Sequence, residues 1–182
     1  MAELLTEALV WMDLEMTGLS HKRDKILEIA VLVTDKNLNI IDKGVEMAIH
    51  QAEDVLKRMD SWCQKNHQES GLLERVKMSP WTVRSAESEI LTYLKTKVSF
   101  KTVPLCGNSI WQDRRFLGEY MPELENFLHY RCVDVSSIKE LAQRWQPGLV
   151  ESFQKKSAHT ALSDIEESIQ ELKFYREKGF IG

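Results

Sequence analysis

Two carboxylates near the N-terminus have the types and spacing that most directly suggest chemistry. Asp13 and Glu15 are two positions apart in an otherwise apolar run that begins at Leu9. Because side chains alternate along a strand, both carboxylates point to the same face. Neighbouring anions raise each other's pKa, and a hard divalent metal with oxygen ligands would stabilise such a pair. An ordinary strand with an acidic polar face is the alternative that the pair alone leaves open.

Two more acids lie where later elements are predicted to begin. Asp113 follows Gly107-Asn108-Ser109, and Asp164 lies in the last predicted helix with His159 five residues before it. Functional groups of α/β sheets gather at strand ends, so the four acids could meet at one edge. Taken singly, each residue also has a plainer interpretation. Asp113 would favour a helix N-terminus, Asp164 would be a solvated surface acid, and His159 would be a capping or surface residue.

The elements that must position these side chains follow an α/β order. Strands are predicted at residues 9–15, 26–35, 39–50, 103–106 and 130–135, the first three as an antiparallel meander. Helices are predicted at residues 80–97, through Arg115 to near Pro122, from a cap at Ser136 to about Trp145, and at 160–177. The pattern predicts a mixed sheet with flanking helices in a single domain over residues 1–182.

Composition limits the classes of partner and compartment. The net charge of −4 argues against a protein that holds long nucleic acid by many phosphate contacts. Cys63, Cys106 and Cys132 form no CxxC motif, which disfavours a zinc site or a disulfide framework. No apolar run reaches membrane-spanning length, and the acidic first residues disfavour a presequence. We therefore expect a cytoplasmic protein that is not membrane-bound, with mitochondria left open if a leader has been removed.

Three motifs in a fixed order carry the acids and the histidine. They are Asp13–Leu19, Gly107–Ser109 followed by Gln112–Phe116, and His159–Asp164. Together they resemble the motifs of the DEDDh exonuclease superfamily, which has an RNase H-like fold. Within it the chain is most similar to the oligoribonuclease family. Segments supporting that likeness are Ile49–Gln51, Ser61–Cys63, Ser70–Leu72, Tyr120–Leu124, His129–Arg131, Asp134–Ser136 and Lys139–Leu141, and the resemblance spans about residues 8–177.

The resemblance implies a 3′-to-5′ exoribonuclease that hydrolyses short single-stranded oligoribonucleotides, especially dinucleotides, to mononucleotides. Asp13, Glu15, Asp113 and Asp164 would hold two divalent ions, Mg²⁺ or Mn²⁺, and His159 would be the general base. Carboxylates without thiolates suit these hard ions, and a neutral imidazole can accept a proton from water. A related exonuclease acting on longer strands, a silent binding module and a scaffold are the competing interpretations.

Two positions depart from the family pattern. Ser163 stands where the family commonly has Asp, next to the retained ligand Asp164. We expect this change to alter local electrostatics more than the ligand set. Trp111 stands where smaller or polar residues are common.

The resemblance also assigns substrate contacts. Leu19 would be a wedge between the two terminal bases, and Trp62, His67 and Tyr130 would contact bases, with Tyr130 supplied by the other subunit of a homodimer. The 5′ phosphate would be capped by Ser109, Arg131 and Ser136. Aromatic stacking tolerates any base, and a guanidinium binds phosphate bidentately. Core packing is the alternative for Trp62 and Tyr130.

Overall fold

The computed structural model describes residues 4–154 and 160–181, which fold around one mixed five-stranded sheet. The strands are β1 (Leu9–Met16), β2 (Ile26–Thr34), β3 (Val45–Ala48), β4 (Leu105–Gly107) and β5 (Cys132–Asp134), in the spatial order β3-β2-β1-β4-β5. Pairing is antiparallel between β1, β2 and β3, and parallel between β1, β4 and β5. The predicted meander, the two later strands and the α/β class are confirmed.

Helices cover both faces of this sheet and one end of the meander. They are α1 (Glu53–Leu56), α2 (Ser61–Glu69), α3 (Leu72–Met78), α4 (Val83–Lys95), α5 (Ile110–Tyr120), α6 (Pro122–Phe127), α7 (Val135–Trp145), α8 (Pro147–Glu151) and α9 (Ala161–Glu177). One core cluster joins the sheet to α4, α5 and α6, and a second joins it to α7 and α9. Every residue of β2 is buried because both faces of that strand are covered.

Strand β3 is much shorter than the predicted 39–50. Leu38 and Gly44 adopt positive φ angles of 68° and 67°, a conformation incompatible with a continuous strand. A Cβ at Gly44 would also lie 2.3 Å from the Val31 carbonyl oxygen. Residues 39–44 therefore form a connection that side-chain alternation does not reveal.

Two predicted helix starts are also wrong. Helix α4 begins at Val83 rather than near Pro80, because Thr82 and Ser85 form a reciprocal capping box. Helix α7 is capped by Asp134 rather than by Ser136: the Asp134 carboxylate accepts the Ser136 N–H at 3.0 Å. An acidic cap is favoured there because its charge also complements the positive end of the helix.

None of the helices in the described part of the chain is both long and apolar enough to cross a membrane.

Candidate active site

Three of the four predicted acids meet beside the end of β1. One oxygen each from Asp13, Glu15 and Asp164 lies within 4.8 Å of the others. Strand alternation brings Asp13 and Glu15 together, and Asp164 enters from the first turn of α9. This convergence confirms that the two acids of β1 share a face, and it creates a pocket of oxygen donors suited to a hard divalent cation.

Asp113, the fourth acid, lies beside this group in a different role. It is 6% exposed in the first turn of α5, and its Oδ1 accepts the backbone N–H of Leu14 at 3.0 Å. This hydrogen bond ties α5 to β1 between Asp13 and Glu15. Among the residues described, the set within 4.8 Å contains the other three acids and not Asp113.

Burial and the repulsion between neighbouring carboxylates raise the pKa values of three of these acids. Burial raises the pKa of Asp13 well above its usual value, and the charges of Asp113, Glu15 and Asp164 add to the rise. Burial, followed by the charge of Asp164, raises the pKa of Glu15 to about 7. Burial also raises the pKa of Asp113 to about 7, against the opposing effect of its hydrogen bond to Leu14. A cation among these carboxylates would remove this penalty.

The start of α9 is fixed by a second capping box. Thr160 and Ser163 exchange side-chain and backbone hydrogen bonds, with Ser163 N donating to Thr160 Oγ1 at 3.3 Å. Ser163 therefore has a structural role at the position where the family pattern has Asp. His159, the predicted general base, lies outside the described residues.

An ion pair between a buried acid and a half-buried arginine lies beside the cluster, and it was not predicted from the sequence. Glu28 on β2 is fully buried and lies opposite Glu15 in the strand register. Its carboxylate pairs with Arg75 of α3 and lies 3.5 Å from the backbone nitrogen of Ala161, the first residue of α9. The signal was present as a single acid in the apolar run of residues 26–33. Arg75 compensates that charge and lowers the pKa of Glu15.

The loop after β1 presents Leu19 to solvent. Asp24 accepts the backbone N–H of Ser20 at 2.8 Å, and Thr17 Oγ1 accepts that of Lys25 at 2.9 Å. Gly18 packs so closely that an added Cβ would lie 2.7 Å from the Asp24 carboxylate, so a larger residue would displace the loop. Leu19 consequently projects with 76% of its surface exposed.

Leu19 lines two cavities. One, of about 490 Å³, is also lined by Glu15, Trp62 and His67. The other, of about 1060 Å³, is lined by three arginines and several polar residues of the same loop. An exposed side chain that borders both cavities is available to contact a ligand in either of them.

The predicted base-contacting residues fall into two groups. Trp62 is 69% exposed and Tyr130 is 73% exposed, which excludes core packing for both side chains. His67 is buried, with Nε2 2.9 Å from the Met16 carbonyl oxygen and Nδ1 3.8 Å from Glu15. Trp62 and His67 share the cavity with Leu19, whereas Tyr130 lies near β5.

Ser109 and Ser136 are also brought together. Their Oγ atoms are 3.2 Å apart, and Ser109 N donates to Ser136 Oγ at 2.9 Å. Arg131 is exposed just before β5, and its guanidinium carbon lies 5.6 Å from the centre of the Tyr130 ring. Trp111 is likewise exposed and lies beneath Arg115.

Comparison with known proteins places this arrangement in a family. A family model described as exonuclease (RNase_T) matches residues 10–172. The oligoribonuclease of Haemophilus influenzae (strain PittGG) is 54% identical over 169 residues, which are 93% of each chain. The oligoribonuclease of Shewanella loihica is 54% identical over 172 residues, covering 94% of this chain and 95% of the relative.

Solved exonuclease structures share the fold at low sequence identity. Exonuclease I of E. coli in complex with a dA16 oligonucleotide superposes with a TM-score of 0.73 at 14% identity, covering 94% of this chain and 41% of that one. Exonuclease I of Methylocaldum szegediense superposes with a TM-score of 0.69 at 19% identity, covering 94% and 40%. This chain thus spans about two fifths of those proteins, and the likeness confirms the RNase H-like fold.

Proposed function

The chain belongs to the oligoribonuclease family of exonucleases, and from this premise we propose that it is a 3′-to-5′ exoribonuclease of short oligoribonucleotides. Dinucleotides are its preferred substrates, and mononucleotides are its products. The observation that carries the proposal is the convergence of Asp13, Glu15 and Asp164 within 4.8 Å at the end of β1.

Two divalent ions, Mg²⁺ or Mn²⁺, would be held by Asp13, Glu15, Asp113 and Asp164. The donor set fits such ions, because it consists of carboxylate oxygens whose burial and mutual repulsion raise their pKa values. When bound, divalent ions activate water for attack and stabilise the negative charge that develops on the phosphoryl oxygens.

The chain's own side chains supply proton transfer and alignment. His159 acts as the general base that accepts a proton from the attacking water, since its ordinary pKa lies near neutrality. Asp113, through its hydrogen bond to Leu14 N, holds α5 in register with β1. Glu28 and Arg75 hold the start of α9, and with it Asp164, against β2.

The terminal bases lie on the two sides of Leu19. Trp62 and His67 contact one base in the cavity that also reaches Glu15, and this shared wall supports the assignment. Tyr130 stacks on the other base from the partner subunit of a homodimer. Such stacking contacts would tolerate any base, because every base offers an aromatic face.

A 5′-phosphate subsite selects short substrates. Ser109 and Ser136, whose hydroxyl oxygens are 3.2 Å apart, bind this phosphate together with Arg131. A phosphate monoester exists only at a chain end, so a subsite close to the acids favours substrates of two nucleotides. The bacterial relatives support a cytoplasmic location.

The test is hydrolysis of a 5′-phosphorylated diribonucleotide with Mg²⁺, with and without EDTA, beside an oligomer of about twenty nucleotides. We expect rapid, EDTA-sensitive conversion of the dinucleotide and much slower turnover of the long strand. Faster turnover of the long strand would instead indicate the related exonuclease type that degrades longer substrates. EDTA-resistant hydrolysis would contradict the metal assignment.

A further inference from the structure

A buried acid in α9 connects to the two serines of the 5′-phosphate subsite. Glu171 is fully buried, and its Oε1 accepts the Tyr175 hydroxyl at 3.1 Å and lies 3.5 Å from Lys139 Nζ. Its Oε2 lies 3.5 Å from Nδ2 of Asn108, which also donates to Ser168 Oγ at 2.7 Å. Asn108 directly follows β4, so Glu171 of α9 contacts the residue at the end of this strand.

Ser168 and Glu171 together determine which way the Asn108 amide faces. The Ser168 hydroxyl donates to the Asp164 carbonyl oxygen at 2.8 Å, so it accepts from the NH₂ group of Asn108, and the Glu171 oxygen lies on the same side. The amide oxygen therefore faces Ser136, whose hydroxyl donates to it at 3.0 Å. Reversing the amide would place two acceptors against each other on one side and remove the acceptor for Ser136 on the other.

Ser136 in turn holds Ser109 by a hydrogen bond. Ser136 Oγ accepts the backbone N–H of Ser109 at 2.9 Å, and the Asp134 carboxylate accepts the same N–H at 3.0 Å. Ser109 has a positive φ of 50°, a conformation that costs free energy for a residue other than glycine unless neighbouring contacts hold it. The hydrogen bonds from Asn108 through Ser136 supply such contacts.

We propose that Asn108 and Glu171 are positioning residues: by fixing Ser136, they hold Ser109 in the geometry that binds a 5′-phosphate monoester on the substrate. This inference rests on the proposed function, since it concerns the subsite of Ser109 and Ser136. Neither positioning residue touches the reacting atoms. Their effect is on the binding of the 5′ phosphate, because a preordered Ser109 loses less conformational freedom when the phosphate binds.

The experiment compares KM and kcat for a dinucleotide with and without a 5′ phosphate. Asn108→Ala is the main variant, because Asn108 is only partly buried. We expect the KM advantage of the phosphorylated substrate to fall about tenfold, the scale of one charge-assisted hydrogen bond. The kcat on the unphosphorylated dinucleotide should stay within about twofold of wild type.

Matched variants separate positioning from general damage. Glu171→Leu should reproduce the loss, whereas Glu171→Gln keeps an amide oxygen that can accept from Asn108 and should restore most of the preference. Glu177→Gln removes the same charge from an exposed position of the same helix and should leave both substrates unaffected.

The outcomes distinguish this inference from the proposed function. If Ser109→Ala loses the preference but Asn108→Ala keeps it, the subsite exists and the positioning role is wrong. Equal loss on both substrates in Asn108→Ala would also overturn it. A wild-type enzyme that hydrolyses dinucleotides without any preference for the 5′ phosphate would remove the subsite itself.

Discussion

At the scale of single residues, Asp13 lies in a strongly unfavourable electrostatic environment, because burial and four neighbouring carboxylates all raise its pKa. Such a residue persists when its charge is needed for ligand binding rather than for the stability of the fold. Alternation predicted that this residue and Glu15 share a face, and the family resemblance assigned both to metal binding. Neither predicted Glu28, whose role depends on the packing of α3 against β2.

Replacing Asp13 should separate activity from stability. Asp13→Asn is expected to abolish detectable turnover with Mg²⁺ and to leave the free energy of unfolding unchanged or increased, because a repelled charge is removed. Turnover and chemical denaturation measure the two effects. Glu89→Gln, an exposed acid on α4, is the matched control and should change neither. Near-full activity of Asp13→Asn would refute the assignment of this acid.

His159 should affect the rate of chemistry rather than metal affinity. His159→Ala is expected to lower kcat by about 10²–10⁴-fold, the usual contribution of a general base. The concentration of Mn²⁺ that gives half-maximal activity should change little. A loss of activity that excess Mn²⁺ restores would make His159 a metal ligand instead.

At the scale of elements, the site forms where the C-terminal half of one strand meets the first turns of two helices. Strand β1 carries Asp13 and Glu15, α5 carries Asp113, and α9 carries Asp164. The order of these elements could be predicted because apolar periodicity marks buried strands and helices. The hydrogen bond from Leu14 N to Asp113 could not be predicted, because periodicity is a local signal and this bond joins residues 99 positions apart.

Bringing these elements together without metal should make stability depend on pH. Glu15 and Asp113 have pKa values of about 7 in the folded protein against ordinary values of 4.5 and 3.8. The folded state therefore binds more protons than the unfolded chain between these values, so stability falls as the pH rises through 7. In EDTA, we expect Tm to rise when the pH is lowered from about 8 to about 6.

Metal and charge removal provide the controls for this effect. Saturating Mg²⁺ should raise Tm most at the higher pH and flatten the dependence, because ionised carboxylates bind the ion. Glu15→Gln should reduce the slope in EDTA, since one of the two groups no longer titrates. A Tm in EDTA that falls over the same interval as the pH is lowered would contradict the raised pKa values.

At the scale of the whole molecule, the net negative charge disfavours long polyanions, and exposed aromatic residues offer local contacts for a ligand or a partner. A net charge of −4 provides little long-range attraction for a polyanion, so recognition depends on local contacts. Arg23, Arg58 and Arg115 line the cavity beside Leu19. Tyr130, by contrast, is 73% exposed near β5, which is the position expected of a side chain that completes a site in a second copy.

The proposed homodimer can be tested by complementation between two damaged chains. Tyr130→Ala should lower kcat/KM about 5–150-fold, the range for loss of one base-stacking contact, and Asp13→Asn should be inactive. Co-expression with two different tags allows the heterodimer of these chains to be purified. In it, the acids of the Tyr130→Ala chain are joined by the partner's Tyr130, so one of the two sites is complete. Activity per dimer should return to about half of wild type, as two-fold symmetry requires.

The decisive control places both substitutions in one chain and pairs that chain with wild type. The dimer then carries the same two changes, yet neither site is complete: one has intact acids without the tyrosine, and the other has the tyrosine without Asp13. Its activity per dimer should be about half that of the Tyr130→Ala homodimer, which has two such tyrosine-free sites. If the second heterodimer is instead the more active one, Tyr130 acts within its own chain, because the wild-type chain then holds a complete site by itself. If sedimentation shows only monomers at assay concentration, the homodimer is wrong and Tyr130 has no route to a second site.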